Sequence, residues 1–477
     1  MSEELRLHFE SASDAFASTD VTTVHVVGEQ SLSRPYAYRV RLVSDVDGGL
    51  SPDACVDLLR APAHVEIGAL GAIAEIHGIV TDVELLPMTE LGHSEYVVEL
   101  RPTLWKASLA FTSRVFQDVS VADIAAAVLD QHGVQHELRL DETYPTREYV
   151  VQYEESDLDF LHRQLEHWGI FYFFEQSQGG ETMILADSNR AFVEADALTY
   201  SPRGGGRMVE SLVVTALGRR HRARPFDVAL VDYNWRTPSV EPVGAAEAEP
   251  AAGYGTQRYY GEHIKDGDEG DALALARAQA LAVTHETYSG ETPAPGLLPG
   301  TRFELSGYPV GDLDQEYAIT SVREEASVDG STYGQTFEAI PQAVPFRPQR
   351  VTPKPKIVGF MHAVVDGEVP GMAAPIDEQG RYKVVLPYDE VGKPGQGNAS
   401  RWVRMAQTSA GAGYGTHFPA HIGIEVLISH LDGDPDRPVI VGTVPNPETS
   451  SPVTADDATK SRIKTKAGIL IEFEDAG

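Results

Sequence analysis

Apolar and polar residues alternate along much of the first 110 positions of the chain. The alternating or apolar runs lie at 5–9, 23–27, 36–43, 63–67, 74–85 and 96–102. A period of two puts every second side chain on the same face of a strand, so these runs predict an antiparallel sheet with one buried face. So many runs in a short segment predict a β-barrel or a β-sandwich.

Helical patterns interrupt the strands between residues 111 and 204. Ser120 has the position of an N-cap, with an acidic residue three positions on. Ser156 repeats this spacing before a second helix, whose leucines and tryptophan recur on one face. Gly169 follows in the C′ position, and the apolar run 170–174 predicts a buried strand. The segment is therefore predicted to be a small α/β unit.

Strand patterns return between residues 205 and 345, with one Ala- and Leu-rich helical segment over 268–285. Five prolines then fall within fifteen residues, from Pro341 to Pro355. Because proline favours extended backbone, this stretch predicts a stiff linker and a domain boundary.

Five short strand patterns follow the linker and are separated by Gly-rich loops. They lie at 356–365, 381–388, 401–407, 425–430 and 439–444. Five short strands in about 90 residues are typical of an OB-type barrel.

One last strand pattern occupies residues 460–474. The apolar residues of one parity are Ile463, Ala467, Ile469, Ile471 and Phe473, whereas charged residues fill most of the other parity. A lone strand with an apolar face is not stable by itself. The pattern therefore predicts pairing with another part of the chain or with another copy of it.

The chain has 477 residues and a net charge of −33, most of it before residue 351. An acidic surface repels phosphate backbones, and the barrel segment 351–450 has 8 basic against 11 acidic residues, so nucleic-acid binding is disfavoured. The first residues lack a basic region followed by an apolar stretch, and no apolar run reaches about 18 residues. Neither a signal peptide nor a membrane span is therefore expected.

No sequence motif of a catalytic or metal site is present. The chain lacks a His-Glu-x-x-His zinc helix, a Gly-x-Ser-x-Gly elbow and a Walker loop. The candidate histidine pairs are His132 and His136, His162 and His167, and His417 and His421. No further ligands stand beside them in the sequence, and the lone Cys55 excludes an intrachain disulfide. We therefore expect no catalytic residue, no cofactor, no metal and no enzymatic activity.

Six segments resemble, in order, the VgrG spike proteins of type VI secretion. They are 146–160 (TREYVVQYEESDLDF), 163–175 (RQLEHWGIFYFFE), 402–407 (WVRMAQ), 413–419 (GYGTHFP), 423–426 (GIEV) and 433–440 (GDPDRPVI). The last of these is the most specific. The stretch 460–469 (KSRIKTKAGI) also looks like the first turn of that family's needle, so the resemblance covers almost the whole chain.

The motif residues are structural candidates. Asp434 can accept from backbone N–H groups and Pro435 presets a turn, so 432–438 is predicted to be a rigid turn between barrel strands. The signature residues are Arg163, Glu166, Gly169, Trp402, Arg404, Gly415, His417, Pro419, Gly423, Glu425, Gly433, Asp434, Pro435, Asp436, Arg437 and Pro438. The residues predicted to pair between chains of a trimer are Ile463, Ile469, Ile471 and Phe473.

The resemblance implies a mainly β fold with a small α/β insert, similar to the hub of contractile phage tails. The implied domains are a hub β-barrel at 1–110, an α/β insert at 111–204, a second hub β-barrel at 205–345, a Pro-rich linker at 346–355, an OB-fold neck at 356–447 and the beginning of a trimeric β-helix needle at 448–477. The family's needle is longer, so either it has been removed from this sequence or this member has a very short spike.

The resemblance also implies a mechanical function, that of a homotrimeric spike and hub which stacks on a hexameric, Hcp-like tube and punctures a target membrane to deliver effectors. The other implied partners are baseplate components and, at the tip, a PAAR-type protein with effectors or adaptors. Such a protein assembles in the cytoplasm and is then injected without a signal peptide. The alternatives are the spike of an extracellular contractile particle or R-type bacteriocin, and a spike with wall-degrading activity.

Overall fold

The computed structural model of the chain describes residues 5–13, 16–44, 49–87, 93–202, 212–248, 253–389, 395, 397 and 399–475. These residues form 30 strands and four α-helices, so the fold is mainly β, as the sequence pattern predicts. None of the helices in the described ranges has the length and hydropathy needed to cross a lipid bilayer.

The strands are numbered in chain order. The first fifteen are β1 (Arg6–Ser11), β2 (Val21–Ser31), β3 (Arg34–Ser44), β4 (Pro62–Ala69), β5 (Ala72–Leu85), β6 (Glu95–Arg101), β7 (Phe111–Phe116), β8 (His136–Arg139), β9 (Val150–Ser156), β10 (Phe171–Ser177), β11 (Gly180–Ala186), β12 (Val193–Glu194), β13 (Leu198–Thr199), β14 (Ala216–His221) and β15 (Asp227–Val231). The others are β16 (Val243–Glu247), β17 (Thr256–Tyr260), β18 (Glu286–Thr292), β19 (Thr301–Ser306), β20 (Glu316–Ser327), β21 (Thr332–Pro341), β22 (Met361–Val365), β23 (Val384–Val385), β24 (Arg404–Met405), β25 (Ala410–Gly411), β26 (Tyr414–Gly415), β27 (Glu425–His430), β28 (Pro438–Thr443), β29 (Lys460–Lys464) and β30 (Leu470–Glu474).

Four α-helices lie in the described residues, and the two predicted for the α/β segment begin where their capping signals predict. The four helices are α1 (Pro52–Leu58), α2 (Val121–Gln131), α3 (Asp157–Trp168) and α4 (Gly267–Val283). Ser120 and Asp123 form a complete capping box at α2, in which each side chain accepts from the backbone N–H of the other. The Ser156 hydroxyl accepts from the Asp159 N–H at 3.0 Å and so caps α3.

Contacts divide the chain into two compact units. Unit 1 comprises Met1–Ala110, Ser120–Pro145 and Ser156–Pro353, and unit 2 comprises Phe111–Val119, Thr146–Glu155 and Lys354–Gly477. Two short pieces of the predicted α/β insert thus belong to the same unit as the predicted OB-type barrel. The six-part domain division remains a prediction.

Unit 1 is built on a 13-stranded sheet. Its main path runs β1-β4-β5-β6-β3-β2-β20-β21-β18-β14, with β19 paired to β20 and with β12 and β13 paired to β19. The strands of the first 110 residues and those after residue 205 meet where β2 pairs with β20, from His25 opposite Ser327 to Ser31 opposite Ser321. One continuous sheet therefore joins the two predicted hub segments.

A buried carboxylate lies beside this junction of strands. Glu324 of β20 is 1% exposed and accepts from the hydroxyls of Tyr38 at 2.5 Å and Tyr333 at 2.7 Å. Burial raises the pKa of Glu324, although the two tyrosine hydrogen bonds oppose that shift. The three side chains link β3, β20 and β21, so the network ties both halves of the sheet together.

The insert of unit 1 contains α2, α3 and a small sheet of order β10-β11-β8, in which β11 runs parallel to β8. The predicted buried strand is β10, and Phe171 to Phe174 are all buried. A second small sheet, β16-β15-β17, packs against α4, where Gly244 and Gly270 allow the backbones to approach. A Cβ on Gly244 would lie 2.0 Å from the Gly270 carbonyl carbon, so no larger residue fits there.

Unit 2 contains a five-stranded sheet of order β23-β22-β27-β28-β24. Each of these strands falls in one of the five runs predicted from the sequence, apart from Pro438 at the start of β28. The core is apolar and includes Val384, Val426 and Ile428, and it also takes in Tyr149 and Val151 from the β7–β9 pair. The barrel core therefore uses residues that lie more than 200 positions earlier in the chain.

The last predicted strand is in fact a hairpin. The stretch predicted as one strand over 460–474 forms β29 and β30, which pair antiparallel with Ile463 opposite Ile471. Gly468 adopts a left-handed φ of 92° in the loop, and the Thr465 hydroxyl accepts from the Ile469 N–H. The turn reverses the chain and keeps residues of one parity on one face, so the apolar pattern alone does not distinguish a strand from a hairpin.

Candidate functional site

Helix α3 carries the first group of signature residues and is buried almost along its whole length. Arg163 and Glu166 are 7% and 5% exposed. The Arg163 guanidinium lies over the Phe160 ring, 4.9 Å from its centroid. Polar side chains that are this deeply buried are normally hydrogen-bonded. The buried polar residues of α3 therefore link the helix to other parts of unit 1.

Glu166 holds the segment that leaves unit 1. Its Oε2 accepts from the backbone N–H groups of Val351 at 2.9 Å and Thr352 at 2.8 Å, and its Oε1 accepts from the Thr352 hydroxyl at 2.9 Å. Arg34 lies 3.5 Å from the same carboxylate. Hydrogen bonds to a carboxylate are stronger than those between neutral groups, so Glu166 fixes the predicted Pro-rich linker at its C-terminal end.

Gly169 ends α3 and contacts the same linker. Its φ of 72° is left-handed, and its carbonyl accepts from the Arg347 guanidinium at 2.9 Å. A Cβ on Gly169 would approach the Ala276 Cβ to 3.0 Å and the Arg347 Cδ to 3.1 Å. Both the backbone conformation and the close packing therefore require glycine.

The Gly433–Pro438 motif forms the turn between β27 and β28. Gly433 has a φ of 75°, and its carbonyl accepts from the Ile357 N–H at 2.9 Å. Asp434 accepts from the Asp436 N–H at 2.9 Å, and Pro438 begins β28 opposite His430. Pro435 and Arg437 are buried. The predicted rigid turn is thus present in the structure.

A lysine outside the sequence motifs lies between the two acidic residues of this turn. The Lys354 ammonium lies 2.6 Å from Asp434 Oδ1 and 2.7 Å from Asp436 Oδ2. Asp436 also accepts from the Val151 N–H at 2.7 Å, which links the turn to β9. Burial raises the pKa of Asp434, and the Lys354 charge opposes that shift. Lys354, Asp434 and Asp436 are named the Lys354 triad below.

His430 lies next to the turn, and neither of its ring nitrogens has a hydrogen-bond partner among the described residues. Burial lowers the pKa of His430 from 6.5 to about 4. Because the folded pKa lies below the unfolded one, only the unfolded chain gains this proton as the pH falls through 6.5. Acid therefore destabilises unit 2 between pH 6.5 and pH 4.

We expect His430→Leu to keep the stability of unit 2 at pH 7, because leucine removes buried polar atoms without breaking a hydrogen bond. On acidification from pH 7 to pH 5, the variant should lose about 1 kcal/mol less than the parent chain, a figure that allows for partial solvent screening. Thermal melts of both proteins at the two pH values measure the difference. Equal losses in the two proteins would contradict the role given to His430.

The other barrel signature residues do not converge on one point. Trp402 lies beneath the Lys383 ammonium, which is 5.3 Å from its ring centroid, and Arg404 belongs to β24. The exposed His417 stacks on Tyr382, whose hydroxyl lies 3.1 Å from its Nε2. The remaining residues lie in β26 (Gly415), in the loop before β27 (Pro419 and Gly423) and at the start of β27 (Glu425). These residues are spread over the strands and loops of the barrel, and their side chains do not form a common catalytic arrangement.

The terminal hairpin has two different faces. On one face, Lys460 and Arg462 form ion pairs with Asp457 and Glu472. The other face presents Ile463, Ile471 and Phe473, which are 45%, 51% and 62% exposed. Ile469, the fourth predicted trimer residue, lies in the loop just before β30 and is 68% exposed. The surface formed by Ile463, Ile471 and Phe473 is called the apolar hairpin face below.

Two family models match the chain. The "Phage tail baseplate hub (GPD)" model matches residues 29–330, and the "Type VI secretion system/phage-baseplate injector OB domain" model matches residues 372–444. The sheet of unit 1 and the signature turn of the barrel lie largely within these two ranges. Fold and motifs thus define a hub protein of the contractile-tail class, and the predicted OB-type barrel is confirmed.

Relatives of known sequence identify the family within this class. The spike proteins VgrG1b and VgrG1a of the Pseudomonas aeruginosa type VI secretion system are 32% and 30% identical to the chain. Each alignment covers 92% of this chain, and it covers 61% of VgrG1b and 70% of VgrG1a. The chain belongs to the VgrG spike protein family, as the sequence motifs predict.

A solved structure has the same fold. The E. coli protein c3393, described as a component of the type VI secretion system with structural similarity to the T4 phage tail proteins gp27 and gp5, matches with a TM-score of 0.68. The match covers 91% of this chain and 99% of c3393 at 22% sequence identity. The chain spans about 60% of the length of VgrG1b and VgrG5, the first two curated relatives.

Proposed function

We propose that the chain is the homotrimeric hub and spike of a contractile injection machine of the type VI class. The observation that supports this most strongly is the apolar hairpin face. Ile463, Ile471 and Phe473 remain about half exposed or more, although they alternate with residues that are held in ion pairs. Paired charges on one face and exposed apolar side chains on the other favour burial of the apolar face against another molecule.

Other copies of the same chain suit this surface best. A two-stranded hairpin is marginally stable in water by itself, and both of its outer edges offer unpaired backbone groups. Three hairpins around a common axis would bury their apolar faces together and pair their edges. The resulting stub would be stiff along its axis, which is the property needed by a part that transmits force.

The sheet of unit 1 supports a role at the base of a tube. Each chain joins two groups of strands through β2 and β20, so three chains would supply six groups. A ring of six similar groups can match a hexameric, Hcp-like tube, on which we propose that the trimer stacks. Baseplate components, a PAAR-type tip and effectors or adaptors are the further proposed partners, and the target membrane is met during firing.

The proposed role is mechanical and needs no catalysis by this chain. Its relatives VgrG1b and VgrG1a are named spike proteins. In our proposal the protein is assembled in the cytoplasm and leaves the cell with the injected tube. The extracellular particle and the R-type bacteriocin remain alternatives of the same class, which the neighbouring genes would distinguish.

Native mass spectrometry of the purified chain tests the assembly. We expect a species of about 155 kDa at micromolar concentration, three times the 51.8 kDa of one chain. Addition of a hexameric, Hcp-like tube protein from the same organism should shift this species to a larger complex. A 51.8 kDa species alone, with no shift on addition of the tube protein, would count against the proposal.

A further inference from the structure

The edge of the large sheet in unit 1 brings two histidines and two glutamates together on its solvent face. Glu10 of β1 is opposite His64 of β4, and His64 is opposite His77 of β5. Glu75 lies two residues before His77 on the same face of β5. Directly opposed side chains in a sheet are about 5 Å apart, so this register places all four within reach of one another.

The donor atoms of His64, Glu75 and His77 all lie within 4.8 Å of one another. His77 Nε2 lies 3.3 Å from Glu75 Oε1, and His64 Nε2 lies 3.7 Å from the same oxygen. Glu10 Oε2 lies 3.7 Å from His64 Nε2. Ligand atoms about 2.0–2.1 Å from a zinc ion are about 3.3 Å apart at tetrahedral angles, so small side-chain movements would bring these three donors onto one ion. Glu10 contacts His64 alone among the three, so its side chain would have to rotate to supply a fourth ligand.

The histidines are partly shielded and held in place. The side chains of His64 and His77 are 23% and 14% exposed, and their ring centroids are 5.2 Å apart. The His77 backbone N–H donates to Gln176 Oε1 at 3.1 Å. Its Nε2 atom is buried and makes no hydrogen bond within the described residues, so a donor lone pair is available at this point.

The surroundings leave room for an ion. A cavity of about 430 Å³ adjoins the cluster and is lined by Glu10, His64 and His77 but not by Glu75, and also by Arg60, Lys106 and Glu181. Glu181 is already engaged, because it accepts from the N–H and the hydroxyl of Thr103. Two cationic side chains, Arg60 and Lys106, thus line the cavity and make its electrostatic potential less favourable for a cation. A bound cation must therefore be held by direct ligands.

We propose that His64, His77 and Glu75, with Glu10 as the fourth donor, form a zinc site. Two imidazoles and two carboxylates in tetrahedral geometry match the ligands that zinc prefers. The ion would connect β1, which is the edge strand of the sheet, to β4 and β5. Metal coordination would therefore hold the N-terminal strand in place in addition to the backbone hydrogen bonds of the sheet.

Isothermal titration with zinc chloride tests this site. The full-length chain, stripped with a chelator and held at pH 7.5, is expected to bind one tight equivalent per chain that His64→Ala removes. Glu75→Gln preserves size but removes a direct ligand, so it should weaken this binding by at least the roughly 10–100-fold that loss of an outer-shell partner costs. The matched control is His25→Ala. His25 lies 3.1 Å from Glu325 on the same sheet, but among the described residues it belongs to no group of three side chains that could hold a metal ion.

The zinc titrations of the four proteins distinguish a specific site from no site. Loss of one equivalent in His64→Ala and weakening in Glu75→Gln, with full binding in His25→Ala, would support the site. The same stoichiometry and affinity in all four proteins, or no tight binding by the parent chain, would overturn it. If His64→Ala fails to fold by circular dichroism, the affinity of the milder Glu75→Gln variant decides.

Discussion

Replacing Lys354 with methionine is expected to lower the free energy of unfolding of unit 2 by about 2–4 kcal/mol. The ammonium group lies within 2.7 Å of both Asp434 and Asp436, whose carboxylates are about 90% buried. Methionine keeps the length of the side chain but removes this counter-charge. Breaking a fully buried pair costs about 3–5 kcal/mol, and the one-third exposure of Lys354 reduces that figure.

Hydrogen exchange of the β27 and β28 amides measures this effect in unit 2 itself. Lys356→Met is the matched control, because Lys356 is exposed, lies two residues on and has no ion pair in the described structure. That control should stay within about 0.5 kcal/mol of the parent. Adding Asp434→Asn and Asp436→Asn to the Lys354 variant should restore part of the loss, since it removes the two buried negative charges that Lys354 balances. Equal protection in the two lysine variants would contradict the role of the triad.

The sequence predicted those elements whose signals are local. Alternation located the strands of the large sheet, and Ser120 and Ser156 marked the starts of α2 and α3 through hydrogen bonds that span only three residues. The five barrel runs contain the strands of the five-stranded sheet, apart from Pro438 at the start of β28. The rigid turn at Gly433–Pro438 could be predicted for the same reason, because Asp and Pro act on their own backbone.

Contacts between distant residues could not be read from the pattern. Asp436 accepts from the Val151 N–H, 285 positions away, and Glu166 holds Val351 and Thr352 across more than 180 positions. Alternation shows which face of a strand is buried but does not show which strand lies beside it. For this reason, Lys354 and the β7–β9 pair were not assigned to the barrel.

The histidine cluster illustrates the same limit. The sequence predicts no metal site, because the histidine pairs that stand out in it are close in sequence. His64 and His77 are thirteen positions apart, and they meet because the β4–β5 turn places them in register. Only a predicted register, set by the turn at residues 70–71, could have identified the pair.

The second large effect is expected for the double variant Ile471→Asp/Phe473→Asp. Each apolar side chain contributes about 1.5–3 kcal/mol when it is buried, and a trimer would lose six of them. Aspartate also places like charges near a threefold axis. We therefore expect the concentration at which half of the chains are assembled to rise by at least about 100-fold.

Leu470→Asp is the matched control, because Leu470 lies on the opposite face of the hairpin, across from Lys464, and is 49% exposed. It introduces one aspartate, against two in the double variant, into the same strand but leaves the apolar hairpin face intact. Its assembly should therefore resemble that of the parent chain.

Sedimentation velocity over a dilution series of these three proteins tests most directly whether copies of the chain share the apolar hairpin face. The account predicts that the parent chain and Leu470→Asp sediment as trimers at micromolar concentration, whereas the double variant sediments as single chains. Identical sedimentation of all three proteins at every dilution, whether as trimers or as single chains, would contradict it.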